Sequence, residues 1–185
     1  MQDEQIIDLY WERSEEAIRE TDKKYGKYCG TIAWNILYSA EDAEECVNDT
    51  WFRAWNLMPD KRPAALSPFL GAIVRNLALD RWRRSRRQKR GGGETELALE
   101  ELADCVPARD RVEQRLEEAE LAAAINAFLA RLPEADRKLF VARYWFLTPI
   151  SRLAEKLECR PGSVKTRLYR LRLRLQEELR REGLV

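Results

Sequence analysis

Histidine is absent from this sequence of 185 residues. Its absence removes the side chain that most often acts as a general base and as a metal ligand. The four cysteines, Cys29, Cys46, Cys105 and Cys159, form no C-x-x-C pair, so neither a zinc site nor a disulfide framework is predicted. Scattered cysteines of this kind are typical of a reduced, intracellular protein. We therefore expect no metal, no cofactor, no small-molecule substrate and no enzymatic activity.

Long apolar runs and glycine-rich phosphate loops are also missing. The N-terminus, MQDEQIIDLY, is acidic and has no apolar core of a signal peptide, and no later run is long enough to cross a membrane. We expect a cytoplasmic protein that is not itself a membrane protein. The glycines at 91–93 follow no strand pattern and are interpreted as a linker. Almost no strand-like alternation occurs, so the predicted fold class is all-α.

Charge is abundant in this sequence and strongly segregated. The chain has 33 Lys or Arg and 32 Asp or Glu, for a net charge of only +1. Residues 75–90 contain eight Lys or Arg and one Asp, and residues 152–181 contain ten Lys or Arg and four Glu. Residues 94–120, by contrast, contain ten acids and three Arg. Because dense like charges repel one another unless a polyanion neutralises them, the two basic segments indicate nucleic-acid binding.

A helix-turn-helix is predicted between Leu147 and Leu175. The apolar residues Ile150, Leu153, Ala154 and Leu157 have helical spacing and form the first helix. Residues 159–162 break the pattern, and Pro161 suits the first turn of a second helix. That helix has the apolar stripe Val164, Leu168, Leu171 and Leu175, and its other faces are polar and basic. Such a helix fits a major groove, although a basic, solvated face on a helical hairpin that only packs is the alternative.

The N-terminal half is predicted to consist of further helices. Residues 3–37 are helical in pattern, with a break near Thr21 or Gly26, and Ser39 is a good N-cap for an acidic helix with Asp42 at the capping-box position. A loop at 58–66 precedes another helix, for which Ser67 is the predicted N-cap. The residues by themselves favour a solvated acidic face on the helix after Ser39 over a docking surface for a basic partner.

Aromatic residues lie close in sequence to the first basic segment: Trp51, Phe52, Trp55, Phe69 and Trp82. Unpaired bases can stack on such rings beside a basic surface, which is how single-stranded nucleic acid is bound. The alternative is that the tryptophans are anchors of the core.

A flexible acidic linker with room for one short helix is predicted at residues 91–112, between a domain at 1–90 and a second domain at 113–185. It is glycine-rich at its start and then acidic. Three interpretations remain open: the linker lies along a basic channel of a partner, folds back on basic faces of its own chain, or is a solvated tether.

The order of four segments resembles the extracytoplasmic-function (ECF) sigma factors of bacterial RNA polymerase over nearly the whole chain. The segments are DAEECVNDTWFRAW, PFLGAIVRNLALDRWRRSRRQ, RLPEADRKLFVARYWF and RLAEKLECRPGSVKTRLYRLRLRL. The resemblance implies two small helical domains, region 2 at 1–90 and region 4 at 113–185. It implies an alternative sigma-factor subunit that directs core enzyme to specific promoters and assists DNA melting. A self-sufficient helix-turn-helix regulator of duplex DNA is the alternative.

The resemblance also implies three sets of contact residues. Core polymerase, through its β′ clamp helices, is expected to contact Asp42, Glu45, Asn48, Asp49, Phe52 and Arg53. The −10 element, including a flipped base of the melted non-template strand, is expected to contact Lys61, Arg62, Arg75, Asn76, Asp80, Arg83, Arg84 and Arg87. The duplex −35 element is expected to contact Ser163, Lys165, Thr166, Arg167, Tyr169 and Arg170. The polymerase β flap is a further expected partner, and the resemblance allows an anti-sigma factor.

Overall fold

The structure, a computed structural model, describes residues 1–58, 60–86, 93–106 and 114–184. It divides into two compact units, Met1–Gly91 and Gly92–Val185. All regular secondary structure among the described residues is α-helical, which confirms the predicted fold class. No helix in these ranges is both long enough and apolar enough to cross a membrane.

The first unit is a bundle of helices. Its elements are α1 (Asp3–Trp11), α2 (Glu16–Leu37), α3 (Ala40–Leu57) and α4 (Leu66–Arg86). Helices α2, α3 and α4 pack against one another, and α1 packs against α2. The buried side chains recur at the helical spacing that the sequence shows, with Ile32 and Ile36 in α2 and Leu70 and Val74 in α4 fully buried. Burial of these stripes drives the bundle together.

Local signals placed some helix ends correctly and others not. Ser39 Oγ accepts a hydrogen bond from the Asp42 N–H at 3.2 Å, which confirms the predicted N-cap of α3. Helix α4, however, begins at Leu66, one residue before the predicted cap.

The break in the first helical segment lies at residues 12–15, and the expectation of a break near Thr21 or Gly26 is wrong. Helix α1 ends at Trp11, and Arg13, two residues later, adopts the left-handed conformation with φ 55°. Thr21 remains inside α2 and is fully buried. Its hydroxyl accepts a hydrogen bond from the Tyr10 hydroxyl at 3.0 Å, which satisfies this buried polar group. A polar residue with a buried partner is compatible with a helix interior, which local propensity does not reveal.

The second unit contains the helix-turn-helix. Its elements are α5 (Glu94–Ala103), α6 (Gln114–Arg131), α7 (Glu134–Tyr144), α8 (Ile150–Lys156) and α9 (Pro161–Arg181). Helices α8 and α9 pack together as predicted, with Pro161 in the first turn of α9. The whole predicted stripe of α9 is buried, whereas Leu157 is 43% exposed because it follows the last residue of α8.

The acidic segment after the glycines contains a short helix, as predicted, and this helix packs against the second unit. Its described part, residues 93–106, contains α5, which packs against α7 of the second unit. Ala98 is fully buried, and Leu102 and Val106 lie against the core of that unit. The boundary between the units therefore falls at residue 91, and residues 93–106 belong with the second unit. Their carboxylates meet basic side chains of their own chain, one of the three interpretations that the sequence left open.

Candidate nucleic-acid interface

The first half of α9 lines an open cleft of about 840 Å³ on the second unit. Four of the six residues expected to read the −35 element line it together, namely Ser163, Thr166, Arg167 and Arg170. They share one side of α9 because they are three or four positions apart along the helix. Lys165 and Tyr169 are exposed but lie outside this lining. The cleft is a surface on which polar and cationic side chains converge.

Sequence reasoning missed three residues of this cleft. Arg160, the N-cap residue of α9, and Arg174, one turn after Arg170, add two cations to the lining. The spacing from Arg170 to Arg174 was a signal for the second of them. The third is Asp136, which comes from the first turn of α7. With four arginines and one aspartate, the lining is strongly positive and suits the phosphates of a duplex.

Two hydrogen bonds order the polar groups of the cleft. The Thr166 hydroxyl donates to the Gly162 carbonyl at 3.0 Å, one turn earlier in α9. Arg167 Nε donates to Asp136 Oδ1 at 2.5 Å, and this ion pair joins α9 to α7. Arg167 is half-buried, whereas Ser163, Thr166 and Arg170 are exposed. Among the arginines of the α9 cleft, Arg167 is therefore held in place by an ion pair.

A second cleft, of about 570 Å³, lies on the first unit. It brings together four of the residues expected at the −10 element, namely Arg75, Asn76, Asp80 and Arg83. Phe69 of α4 and Arg53 of α3 also line it. An aromatic ring, an amide and cations in one concave surface have the composition that an unpaired base and its phosphate require.

The electrostatics of this second cleft favour an anion. Burial, together with the positive charge of Arg83, lowers the pKa of the Arg75 guanidinium. A lowered pKa means that the charged form of Arg75 is held in an unfavourable environment. A bound phosphate would add negative charge beside this guanidinium and favour its charged form. Asp80 pairs with Arg83 at 3.3 Å, so it offsets only part of the local positive charge.

The other residues expected at the −10 element are distributed differently. Arg62 forms an ion pair with Asp8 at 2.6 Å, and its guanidinium lies 5.8 Å from the centre of the Trp11 ring. Arg62 thus ties the loop before α4 to α1. Lys61 and Arg84 are exposed and outside the cleft lining. Arg87 lies outside the described residues.

The aromatic residues near the basic segment differ in their surroundings. Trp51 is buried and its Nε1 donates to Asp22 at 3.3 Å. The Arg13 guanidinium lies 4.3 Å from the centre of the half-buried Trp55 ring. Trp51 is therefore an anchor of the core, as the alternative interpretation predicted, whereas Trp55 lies at the edge of the core. Phe69 is the aromatic ring that lines the first unit's cleft.

The acidic surface of α3 is partly engaged by its own unit. Arg81 of α4 contacts Glu45 at 2.8 Å and Asp49 at 2.5 Å. Its hydrogen bond lowers the pKa of the Glu45 carboxyl, and the two carboxylates raise the pKa of Arg81. Sequence reasoning missed Arg81, although the four-residue spacing of Glu45 and Asp49 was a signal for one shared cation.

The remaining residues expected to contact core polymerase face solvent. Asp42, Asn48 and Arg53 are exposed, and Phe52 is 70% exposed. A phenylalanine this exposed on an acidic helix leaves most of its ring available to a partner. Arg53 also lines the first unit's cleft, so the two sets of expected contacts adjoin at that residue.

An apolar groove of about 510 Å³ lies between α7 and α8 of the second unit. Ala135, Leu139, Ala142, Leu153 and Leu157 line it, together with charged side chains. The exposure of Leu157, unexpected from the sequence pattern, belongs to this groove. The groove has the character of a surface for an apolar side chain of a partner.

Two family matches follow the order of the two units. Residues 23–88 match the family Sigma-70 region 2, and residues 122–175 match the family Sigma-70, region 4. The first match lies in the first unit and includes its cleft, and the second match contains the helix-turn-helix. Because the region 2 match occupies most of the first unit, the alternative of a self-sufficient helix-turn-helix regulator is not favoured.

Three relatives among known proteins are similar to this chain. The probable RNA polymerase sigma factor RfaY of Xanthomonas campestris pv. campestris is 31% identical over 150 residues, which are 80% of this chain and 36% of that protein. The ECF RNA polymerase sigma factor SigE of Mycolicibacterium smegmatis is 30% identical over 149 residues, which are 80% of this chain and 56% of that protein. The ECF RNA polymerase sigma factor SigM of Mycobacterium tuberculosis is 33% identical over 138 residues, which are 74% of this chain and 64% of that protein. The matched part is thus less than two thirds of each relative's length. With both regions present and in this order, the chain belongs to the sigma-70 family, as a member of its ECF group.

Proposed function

We propose that this protein is an alternative sigma subunit that directs RNA polymerase core enzyme to specific promoters and assists DNA melting. The observation that carries the proposal is the pair of clefts. One is lined by a basic helix of a helix-turn-helix, and the other combines an aromatic ring with an amide and cations. All the residues that line the two clefts lie within the two matched regions. In this proposal the chain binds polymerase and DNA and catalyses no reaction itself.

Recognition of the −35 element is assigned to α9. Its first half enters the major groove, where the N-terminal residues of a recognition helix reach base edges. Arg167 and Arg170 can pair with guanine, and Ser163 and Thr166 can bond to bases or phosphates. Arg160 and Arg174 are positioned in the same lining to contact phosphates. Lys165 and Tyr169 remain expected contacts at the margin of the groove.

Recognition of the −10 element is assigned to the cleft of the first unit. A base flipped from the non-template strand stacks on Phe69, and Asn76 offers an amide to its edge. Arg75 and Arg83 neutralise the adjacent phosphates. Stacking returns roughly 1–3 kcal/mol per base, which offsets part of the cost of unpairing. Melting is thereby favoured without catalysis. Lys61, Arg62, Arg84 and Arg87 are expected along the path of the strand.

Core polymerase is assigned to two surfaces. The exposed side of α3, with Asp42, Asn48 and Phe52, is proposed to contact the β′ clamp helices, and Glu45 and Asp49 contribute while paired with Arg81. The groove between α7 and α8 is proposed to receive the β flap. The protein would then work in the cytoplasm, where polymerase and promoter DNA are found, and an anti-sigma factor remains a proposed regulator.

The test is reconstitution with bacterial core polymerase. The full chain is expected to comigrate with core in gel filtration and to give it a strong preference among promoters in a genomic library. Arg170→Ala is expected to reduce transcription from promoters with a −35 element roughly tenfold, as loss of one base or phosphate contact would. Binding to core should not change.

Arg180→Ala is the matched control for this variant. It removes the same charge from the same helix, at an exposed position outside the cleft lining. The control should transcribe like the parent. Failure to comigrate with core, or an equal loss in both variants, would contradict the proposal.

A further inference from the structure

Asp136 is an acid in a cleft that is otherwise positive. It belongs to the first turn of α7, yet it lines the α9 cleft, in which every other charged lining residue is an arginine. Its side chain is only 19% exposed. A carboxylate beside a surface that approaches phosphates opposes binding by repulsion. Its position therefore requires an explanation other than attraction of DNA.

The contact with Arg167 supplies that explanation. Arg167 Nε donates to Asp136 Oδ1 at 2.5 Å. A guanidinium carries its N–H donors in one rigid plane, and a contact through Nε leaves the N–H groups of both terminal nitrogens for other acceptors. Paired donors of this kind recognise O6 and N7 of guanine in the major groove. The carboxylate thus holds the side chain without consuming the donors that read a base.

We propose that Asp136 is a positioning residue that orients Arg167 to read one guanine of the −35 element. The proposal rests on the function of α9 proposed above. An arginine held before binding loses less rotamer freedom when DNA arrives, so more of its contact energy appears as affinity for the correct base. The side chain of Arg167 is 41% exposed, so it remains accessible from the groove side.

This role differs from that of a simple tie between α7 and α9. A tie stabilises the unit, and its loss would weaken binding to every sequence alike. A positioning residue instead sets the preference for one base. Asp136→Asn keeps the shape of the side chain and removes its charge. It should leave the affinity for phosphates unchanged or slightly higher, while the preference for guanine at one position falls.

The experiment uses the full chain assembled with core polymerase and a pool of duplex promoters randomised across the −35 element. Bound templates are sequenced, and the preference at each position is compared among variants. Asp136→Asn should reduce the preference for one guanine roughly fivefold, within the range that a bidentate arginine contact provides. Arg167→Ala should abolish the preference at that same position. The double variant should be no worse than Arg167→Ala alone.

The control is Glu120→Gln, which removes an exposed carboxylate of α6 in the same unit, outside the cleft. It should retain every preference. If Asp136→Asn keeps the full preference that Arg167→Ala destroys, the positioning role is wrong while reading by α9 stands. A uniform loss across all templates, with a lower melting temperature, would also overturn the proposal in favour of a structural tie. If Arg167→Ala alters no position, both the inference and the assignment of Arg167 to base reading fail.

Discussion

At the scale of single residues, the acidic surface of α3 divides between an internal and an external role. Glu45 and Asp49 are held by Arg81, at 2.8 and 2.5 Å. Asp49→Arg would place a second guanidinium against Arg81, so a loss of polymerase binding in that variant would not separate docking from local repulsion. Phe52, which has no such internal contact among the described interactions and is 70% exposed, is the more informative residue.

Phe52→Ala is expected to weaken binding to core polymerase by roughly tenfold or more, because exposed aromatic anchors dominate the energy of interfaces. Its melting temperature should be close to that of the parent, since the side chain contributes little to its own core. The measurement is titration of labelled chain with core enzyme. Leu97→Ala, which trims a residue of α5 that is 41% exposed, is the control. Equal affinities for the Phe52 variant and the parent would refute the docking role of α3.

At the scale of elements, α5 is attached to the second unit through a buried cation. Arg143 of α7 is fully buried and meets Glu94 at 2.8 Å and Glu101 at 3.3 Å. Tyr144 also donates to Glu101, at 3.1 Å, and Arg172 of α9 lies 3.4 Å from the same carboxylate. A charge taken out of water must be paired, so Arg143 makes the acidic helix a requirement of this unit.

Glu101→Gln is therefore expected to lower the free energy of unfolding of the second unit by about 2–3 kcal/mol, because it leaves a buried guanidinium with less negative charge around it. Chemical denaturation followed by tryptophan fluorescence and circular dichroism measures the change. Glu100→Gln removes an exposed carboxylate from the same helix and should change stability by less than about 0.5 kcal/mol. Equal stabilities of the two variants would show that α5 is not held by this cluster.

At the scale of the whole molecule, a net charge close to zero conceals two positive clefts and an acidic segment. Within the second unit the acids of α5 pair with Arg143 and Arg172, and of the cleft arginines only Arg167 forms an ion pair with another described residue. In the proposed function, two modest sites on one chain would bind a template that carries both elements more tightly than either site alone, because the second contact is intramolecular.

The salt dependence of promoter binding reports on this arrangement. Each phosphate that the chain neutralises releases counterions, so the logarithm of the binding constant falls linearly with the logarithm of salt concentration. Arg174→Ala should reduce the magnitude of that slope by about 1 in the holoenzyme, without changing base preference. Arg180→Ala should leave the slope as it is. An unchanged slope for the Arg174 variant would remove Arg174 from the phosphate contacts.

How far the sequence predicted the site depends on the distance over which its residues interact. The side of α9 that carries Ser163, Thr166, Arg167 and Arg170 follows from helical spacing within eight residues. The cleft of the first unit was predicted in part, since Asn76, Asp80 and Arg83 lie on one helix, whereas the loop residue Arg62 turned toward Asp8 of α1. A residue on a loop has no period that fixes its direction.

The sequence by itself determined the all-α class, the buried stripe of α9, the Ser39 cap and the order of two basic modules, because these depend on neighbours within one or two turns. Only the tertiary structure decided the pairings of Asp136 with Arg167, of Arg81 with two acids of α3, and of Arg143 with α5. These partners are brought together by packing, and any acid of a chain so rich in charge was a candidate for any arginine. Local periodicity determines which face of a helix is buried, but the packing of the helices against one another determines which charged side chains form ion pairs.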